Sequence, residues 1–168
     1  MNKNPYKFEG YVLRIHSRNK DPLDTTGSLD FGGRWNRKNR YGAIYTSLDR
    51  KILRAEFMKM VKARGIEVED LFERSVSTVE IKLKNVLDLT DSENRKKFGI
   101  KLSDIVSDEE DSIEKCLKAA DKARELSFEA ILSPSAADPE GKNLNIYPDK
   151  LSKGSNIKKV RTERLTRI

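Results

Sequence analysis

Hydrophobic positions follow two rhythms along the chain. Val79, Ile81 and Leu83 alternate with Glu80, Lys82 and Lys84, a period of two that predicts a strand with one buried and one wet face, and Val86-Leu87-Asp88-Leu89 continues it past Asn85. Tyr11-Val12-Leu13-Arg14-Ile15 and Ala43-Ile44-Tyr45-Thr46 are shorter runs of β-formers. Phe128 to Leu132 reads as a buried strand stopped by Ser133-Pro134-Ser135. Asp138-Pro139-Glu140-Gly141 then makes a turn into a last short strand, Leu144-Asn145-Ile146-Tyr147. The helical spacing of three and four appears twice. Ile52, Leu53, Phe57, Met60 and Val61 make one stripe, which Ser47 and Asp49 can cap. Ile113, Cys116, Leu117, Ala120 and Ala123 make the other, behind the acidic run Asp108-Glu109-Glu110-Asp111, which suits a helix N-terminus.

The intervals between these elements are polar. From Arg18 to Gly33, charges mix with Pro22 and glycines, which predicts a long loop; in a compact domain such a loop is more often functional than idle. Asp91 to Glu110 predicts at most a short helix. Strands and helices follow one another without regular βαβ alternation or a sandwich rhythm, and no linker or repeat divides the chain. The expected class is therefore α+β, as one domain over residues 1–168. A last strand from Ile157 to Leu165 and a solvated tail are both compatible with the C-terminal pattern.

Composition adds a sense of partner. The 168 residues are 36% charged against 36% hydrophobic, and 34 basic against 27 acidic residues give a net charge of +7, which favours nucleotides, nucleic acid or an acidic protein. Much of the excess is C-terminal, where Lys153, Lys158, Lys159, Arg161, Arg164 and Arg167 face only Glu163. The single cysteine, Cys116, excludes an intramolecular disulfide framework and falls on an apolar helical face, which predicts a packing role. No charged-then-apolar leader or long apolar run is present, so a cytoplasmic protein without a membrane segment is expected. His16 is the only histidine, so no histidine-rich metal site can form; no metal is expected.

Candidate chemistry begins at Gly32-Gly33-Arg34-Trp35-Asn36. Two glycines let backbone approach a ligand, a guanidinium offers a fork to phosphate oxygens, and an aromatic can stack a ring. The same residues also describe an ordinary turn with a core tryptophan. With Arg37, Lys38, Arg40 and Tyr41 they resemble a basic–aromatic patch for nucleic acid, although no complete nucleic-acid module accompanies it. Glu56 is the most misplaced residue. It follows Ile52 by four and Leu53 by three, so it points toward the core and must meet a partner, reach a cleft or sit at the margin of the stripe. Arg14 interrupts an apolar strand, Tyr45 lies in another, and Ser135 follows a strand-ending proline.

Taken in order, these features resemble the RES domain, a family named for an arginine, a glutamate and a serine. Arg14 ends a first strand, Gly-Gly-Arg-Trp-Asn follows, Ala43-Ile44-Tyr45 leads to Arg54-Ala55-Glu56, and Val86 to Asp91 precedes Ser133-Pro134-Ser135-Ala136 and Gly141-Lys142-Asn143-Leu144. The resemblance runs from about Tyr11 to Tyr147 and leaves 153–168 as a basic C-terminal segment of one RES-like domain. It implies a mixed fold similar to ADP-ribosyltransferases, with a cleft between β-sheets. It also implies a toxin that degrades NAD as its substrate, by hydrolysis or phosphorolysis, or that ADP-ribosylates a protein; a partner antitoxin with an Xre-type helix-turn-helix domain would neutralise it, and nucleic acid would be met only through that partner.

By the same resemblance Arg34, Glu56 and Ser135 are the name-giving residues, and Arg34, Tyr45, Glu56 and Ser135 would carry catalysis. Arg14, Gly33, Arg34, Tyr45 and Asn143 would hold NAD. Glu56 would stabilise positive charge on the ribose as the nicotinamide bond breaks. Ser133 competes with Ser135 for the site. Two positions depart from the pattern: Arg37 stands where proline is frequent, and Ile15 where some members carry an aromatic beside the first arginine. A basic nucleic-acid-binding domain without catalysis is the alternative from another class.

Overall fold

The computed structural model describes residues 5–71 and 73–166. In chain order its elements are β1 (Tyr6–Ser17), α1 (Thr26–Phe31), β2 (Ile44–Ser47), α2 (Arg50–Arg64), α3 (Val68–Leu71), β3 (Arg74–Asp88), α4 (Ser92–Lys97), α5 (Leu102–Val106), α6 (Glu110–Glu125), β4 (Ala130–Pro134), β5 (Lys142–Ile146), a 3-10 turn (Pro148–Lys150) and β6 (Asn156–Arg164). The mixed α+β class expected from the pattern is what forms. The strands make one curled sheet where a pair of sheets was expected. β1 lies antiparallel to β3 from Tyr6↔Val86 to Ser17↔Arg74 and touches β2 at Leu13↔Ser47; β2 pairs β5, β5 pairs β4, and β4 runs parallel to β3. Five strands thus close a barrel-like ring, with β6 added outside it on β3.

Period-two alternation decides what faces where. Val12, Ile44, Val79, Ile81, Leu83, Ala130, Leu132, Leu144 and Ile146 form one buried cluster fed by all five ring strands, which fills the barrel; each valine, leucine and isoleucine among them contributes roughly 1.5–3 kcal/mol by leaving water. The neighbouring positions Leu87 and Ile131 join a second cluster with Trp35, Phe98, Ile105, Cys116, Ala120 and Ala123, which seats α6 on the outer face. Burial pushes the Cys116 thiol up, in keeping with its predicted packing role.

β3 changes partner along one edge. It pairs β6 through Lys82 and β4 from Val86, and between them the fully buried Glu129 accepts the Lys84 and Asn85 N–H groups at 3.0 and 2.9 Å through one carboxylate oxygen, while its other oxygen takes Ser152 N–H at 3.2 Å. The buried charge is held by three backbone donors at the seam.

Two segments differ from expectation. The expected loop from Arg18 to Gly33 contains α1, which buries no residue and so leaves no hydrophobic rhythm to read. The segment expected to hold at most a short helix holds α4 and α5. Of the two C-terminal alternatives, the strand forms as β6; Arg167 lies outside the described residues. Among the described residues no helix is long and apolar enough to cross a membrane.

Candidate active site

α2 sets the position of Glu56. Asp49 caps the helix by accepting the Ile52 N–H at 2.9 Å, and Ile52, Leu53 and Phe57 are buried against the barrel. Glu56 lies on that side and meets partners. Its Oε1 accepts both Ser135 Oγ–H and Asn143 Nδ2–H, each at 2.6 Å. No cation pairs with it among the described residues. Every buried side-chain nitrogen or oxygen there has a partner, and Oε2 takes no hydrogen bond among the described residues, so this second oxygen is open rather than buried. One oxygen is fixed and the other is available.

Each donor is itself held. Ser135, fully buried just after β4, receives the Ala137 and Asp138 N–H groups at 3.1 Å while donating to Glu56. Ser133 instead receives Asn145 Nδ2–H at 3.1 Å and lines a cavity with Glu56, so Ser135 is the serine that touches Glu56 and Ser133 the one on the cavity wall. Ser47 Oγ donates to Asn143 Oδ1 at 3.0 Å, which turns the amide nitrogen toward Glu56. β2 and β5 place Ser47 and Asn143 as register partners.

The glycine motif forms a tight turn closed by reciprocal Gly33–Asn36 backbone hydrogen bonds at 3.1 and 3.4 Å. Tyr45 Oη donates to Asn36 Oδ1 at 2.7 Å and accepts Trp35 N–H at 3.1 Å. Burial pushes this phenol well above its ordinary value, so it stays neutral. A Cβ on Gly33 would stand 2.4 Å from Tyr45 Oη, so only glycine leaves room. Asn36 anchors the turn by donating to Ser28 O and Tyr41 O, and Tyr147 Oη donates to Trp35 O. Trp35 is buried in the outer cluster, an anchor and not an exposed stacking plate.

A cavity of about 260 Å³ opens between α2 and the outer face of the barrel, lined among others by Ile15, Tyr45, Leu53, Glu56, Phe57 and Asn143. A smaller one of about 160 Å³ shares Tyr45, Glu56 and Asn143 and is bounded by Arg34 and Trp35. Tyr45, Glu56 and Asn143 therefore converge on one site with Arg34 at its edge, and Ser135 is tied to it through Glu56. Ile15 lines the cavity, so the departure at that position alters the site wall. Arg34 spends its guanidinium on Ser107 O at 2.6 Å, Asp104 O at 3.4 Å and the Asp108 carboxylate at 2.8 Å.

Arg14 is not brought to Glu56. On the strand position next to Ile15, its guanidinium donates to Pro22 O and to Asp24 O at 3.0 Å; burial lowers its pKa against the pull of Asp24 and Asp21, and it ties down the chain between β1 and α1. Arg37 is likewise structural, bridging Glu114 and Asp121 on α6. Ser47, a helix-cap candidate in the sequence, leaves the cap to Asp49 and orients Asn143 instead, and Asn36, the last residue of the glycine motif, anchors its turn.

The RES domain family model matches residues 11–168. The chain belongs to the RES domain family. The probable NAD(+) phosphorylase Rv3189 of Mycobacterium tuberculosis is 30% identical over 131 residues, covering 78% of this chain and 59% of that protein, so this RES chain aligns with little more than half of that relative. The NAD(+) phosphorylase MbcT of Mycobacterium bovis is 27% identical over 145 residues, 76% of each. The RES fold seen here is also similar to that of a chain in the crystal structure of the M. tuberculosis MbcT–MbcA toxin–antitoxin complex, with a TM-score of 0.79 at 23% identity over 95% of this chain and 86% of that one.

Proposed function

We propose that this RES domain is a toxin that cleaves the bond between nicotinamide and ribose in NAD, with inorganic phosphate as acceptor. The carrying observation is Glu56: a carboxylate locked through Oε1 by Ser135 and Asn143, with Oε2 open and no ion pair to it among the described residues. Bond cleavage develops positive charge on the ribose, and a preorganised anion in a partly dry cavity stabilises that charge without reorganising. The relatives named as NAD(+) phosphorylases favour phosphate over water as the acceptor. Phosphate oxygen then bonds to the anomeric carbon as neutral nicotinamide leaves with the bonding electron pair, giving ADP-ribose phosphorylated at that carbon.

On this reading Tyr45 packs beside the nicotinamide ribose, Asn143 and Ser135 hold Glu56, Gly33 gives Tyr45 its room, and Arg34 faces the dinucleotide phosphates. Arg14, on β1, holds the chain between β1 and α1 through Pro22 O and Asp24 O. NAD is substrate, not cofactor. The reading shares with ADP-ribosyltransferases the first bond broken and a mixed scaffold, and differs in the acceptor. A neighbouring Xre-type antitoxin is the proposed partner, in the cytoplasm, and the net charge of +7 favours an acidic surface on it.

Product analysis tests this. Incubated with NAD and phosphate, the purified protein should release nicotinamide together with phosphorylated ADP-ribose, and omitting phosphate should suppress turnover. Free ADP-ribose formed equally fast without phosphate would replace phosphorolysis by hydrolysis. Intact NAD under both conditions would refute the reading.

A further inference from the structure

One ionic cluster beside the site converges on a single oxygen. Arg34 Nη2 and Lys59 Nζ both donate to the same oxygen of Asp108, at 2.8 and 2.9 Å. Two cations therefore share one carboxylate oxygen, whereas Arg37 alone engages two carboxylates, Glu114 and Asp121. The shared oxygen lies beside the proposed reaction centre: Lys59 follows Glu56 by three residues on α2, and Arg34 bounds the small cavity that Glu56 also lines.

The parts differ in how firmly they are held. Arg34 is 14% exposed and keeps two carbonyl partners, Ser107 O and Asp104 O, that do not depend on Asp108. Asp108 is 64% exposed, in the irregular connector between α5 and α6. An exposed carboxylate gains little from an ion pair with solvent at hand. A phosphoryl group brings more oxygens and more charge to the same two donors.

We propose that Arg34 and Lys59 form a phosphoryl-anion subsite beside Glu56, and that Asp108 is its internal occupant, displaced when substrate binds. The assignment rests on the NAD reading above for its role in turnover, but not for anion binding itself. Its ligand is either the pyrophosphate of the dinucleotide or the acceptor phosphate; both present the same oxygens.

Calorimetric titration with inorganic pyrophosphate and with orthophosphate tests the subsite without catalysis. Asp108→Asn should tighten binding of at least one anion by roughly three- to tenfold, and Lys59→Gln should weaken it by a similar factor, the size expected of one charge-assisted hydrogen bond at a partly exposed site. Both residues lie at the surface, so thermal unfolding of the variants should match the parent. Absence of binding to the parent, or equal affinities in all three proteins, overturns the proposal. Steady-state kinetics then separates the sources: Lys59→Gln raises KM for NAD if the subsite takes the pyrophosphate, and KM for phosphate if it takes the acceptor. Neither KM moving overturns its role in turnover. Variant-dependent anion binding in a protein that leaves NAD intact refutes the NAD reading alone.

Discussion

At the scale of single residues, the site depends on side chains that hold other side chains. Ser47, on the wall of the same cavity, is linked to Glu56 by hydrogen bonds through Asn143. Ser47→Ala frees the Asn143 amide to rotate, so kcat should fall by roughly tenfold with KM for NAD little changed, as expected when a second-tier hydrogen bond is lost. A KM effect alone would place Ser47 in substrate binding instead. Gly33 shows the same logic sterically. Gly33→Ala sets a methyl against Tyr45 Oη, 2.4 Å from the ideal Cβ position, and should cost about 1–3 kcal/mol of stability by overpacking, read as a lower Tm together with reduced turnover. An unchanged Tm would mean that Tyr45 yields freely.

At the scale of elements, strands that bury one face were legible and elements that bury little were not. The alternation through Val79, Ile81 and Leu83 locates β3, and the stripe through Ile52, Leu53 and Phe57 locates α2, because burial imposes those patterns. α1 buries nothing and β6 is exposed along most of its length, so neither needs an apolar period; β6 is held by backbone pairing to β3. Glu56 was legible as a misplaced charge, but its partners lie 79 and 87 residues away, a distance over which one sequence carries no spacing signal. Arg14 looked equally misplaced and turned out to bind loop carbonyls. A charge in an apolar run marks a required partner without naming it. The seam at Glu129 makes the point quantitatively: where β3 passes from β6 to β4, Glu129→Ala strands the Asn85 and Ser152 N–H groups and leaves Lys84 N–H with Ser155 Oγ at 3.3 Å, and chemical denaturation should show a loss of roughly 2–4 kcal/mol. A loss below about 0.5 kcal/mol would mean that water replaces the carboxylate.

At the scale of the whole molecule, charge and cavity divide the work. Part of the basic excess lies on β6, where Lys158, Lys159 and Arg161 are exposed, while the site sits between α2 and the barrel. A nucleic-acid-binding function would use the first and predicts affinity that falls steeply with salt. An NAD-cleaving function uses the second, so excess single-stranded RNA at physiological ionic strength should leave NAD turnover unchanged; strong inhibition would favour the nucleic-acid alternative.

The most direct measurement compares nicotinamide release by the parent and by Glu56→Gln, at saturating NAD and phosphate. Glutamine keeps an oxygen to accept from Ser135 and Asn143 and puts a neutral NH2 group in place of the open anionic oxygen. Cleavage that relies on the open carboxylate oxygen predicts a fall in kcat of about 10²-fold or more with the Tm preserved; turnover within a few-fold of the parent, by a folded variant, would contradict the role given to Glu56.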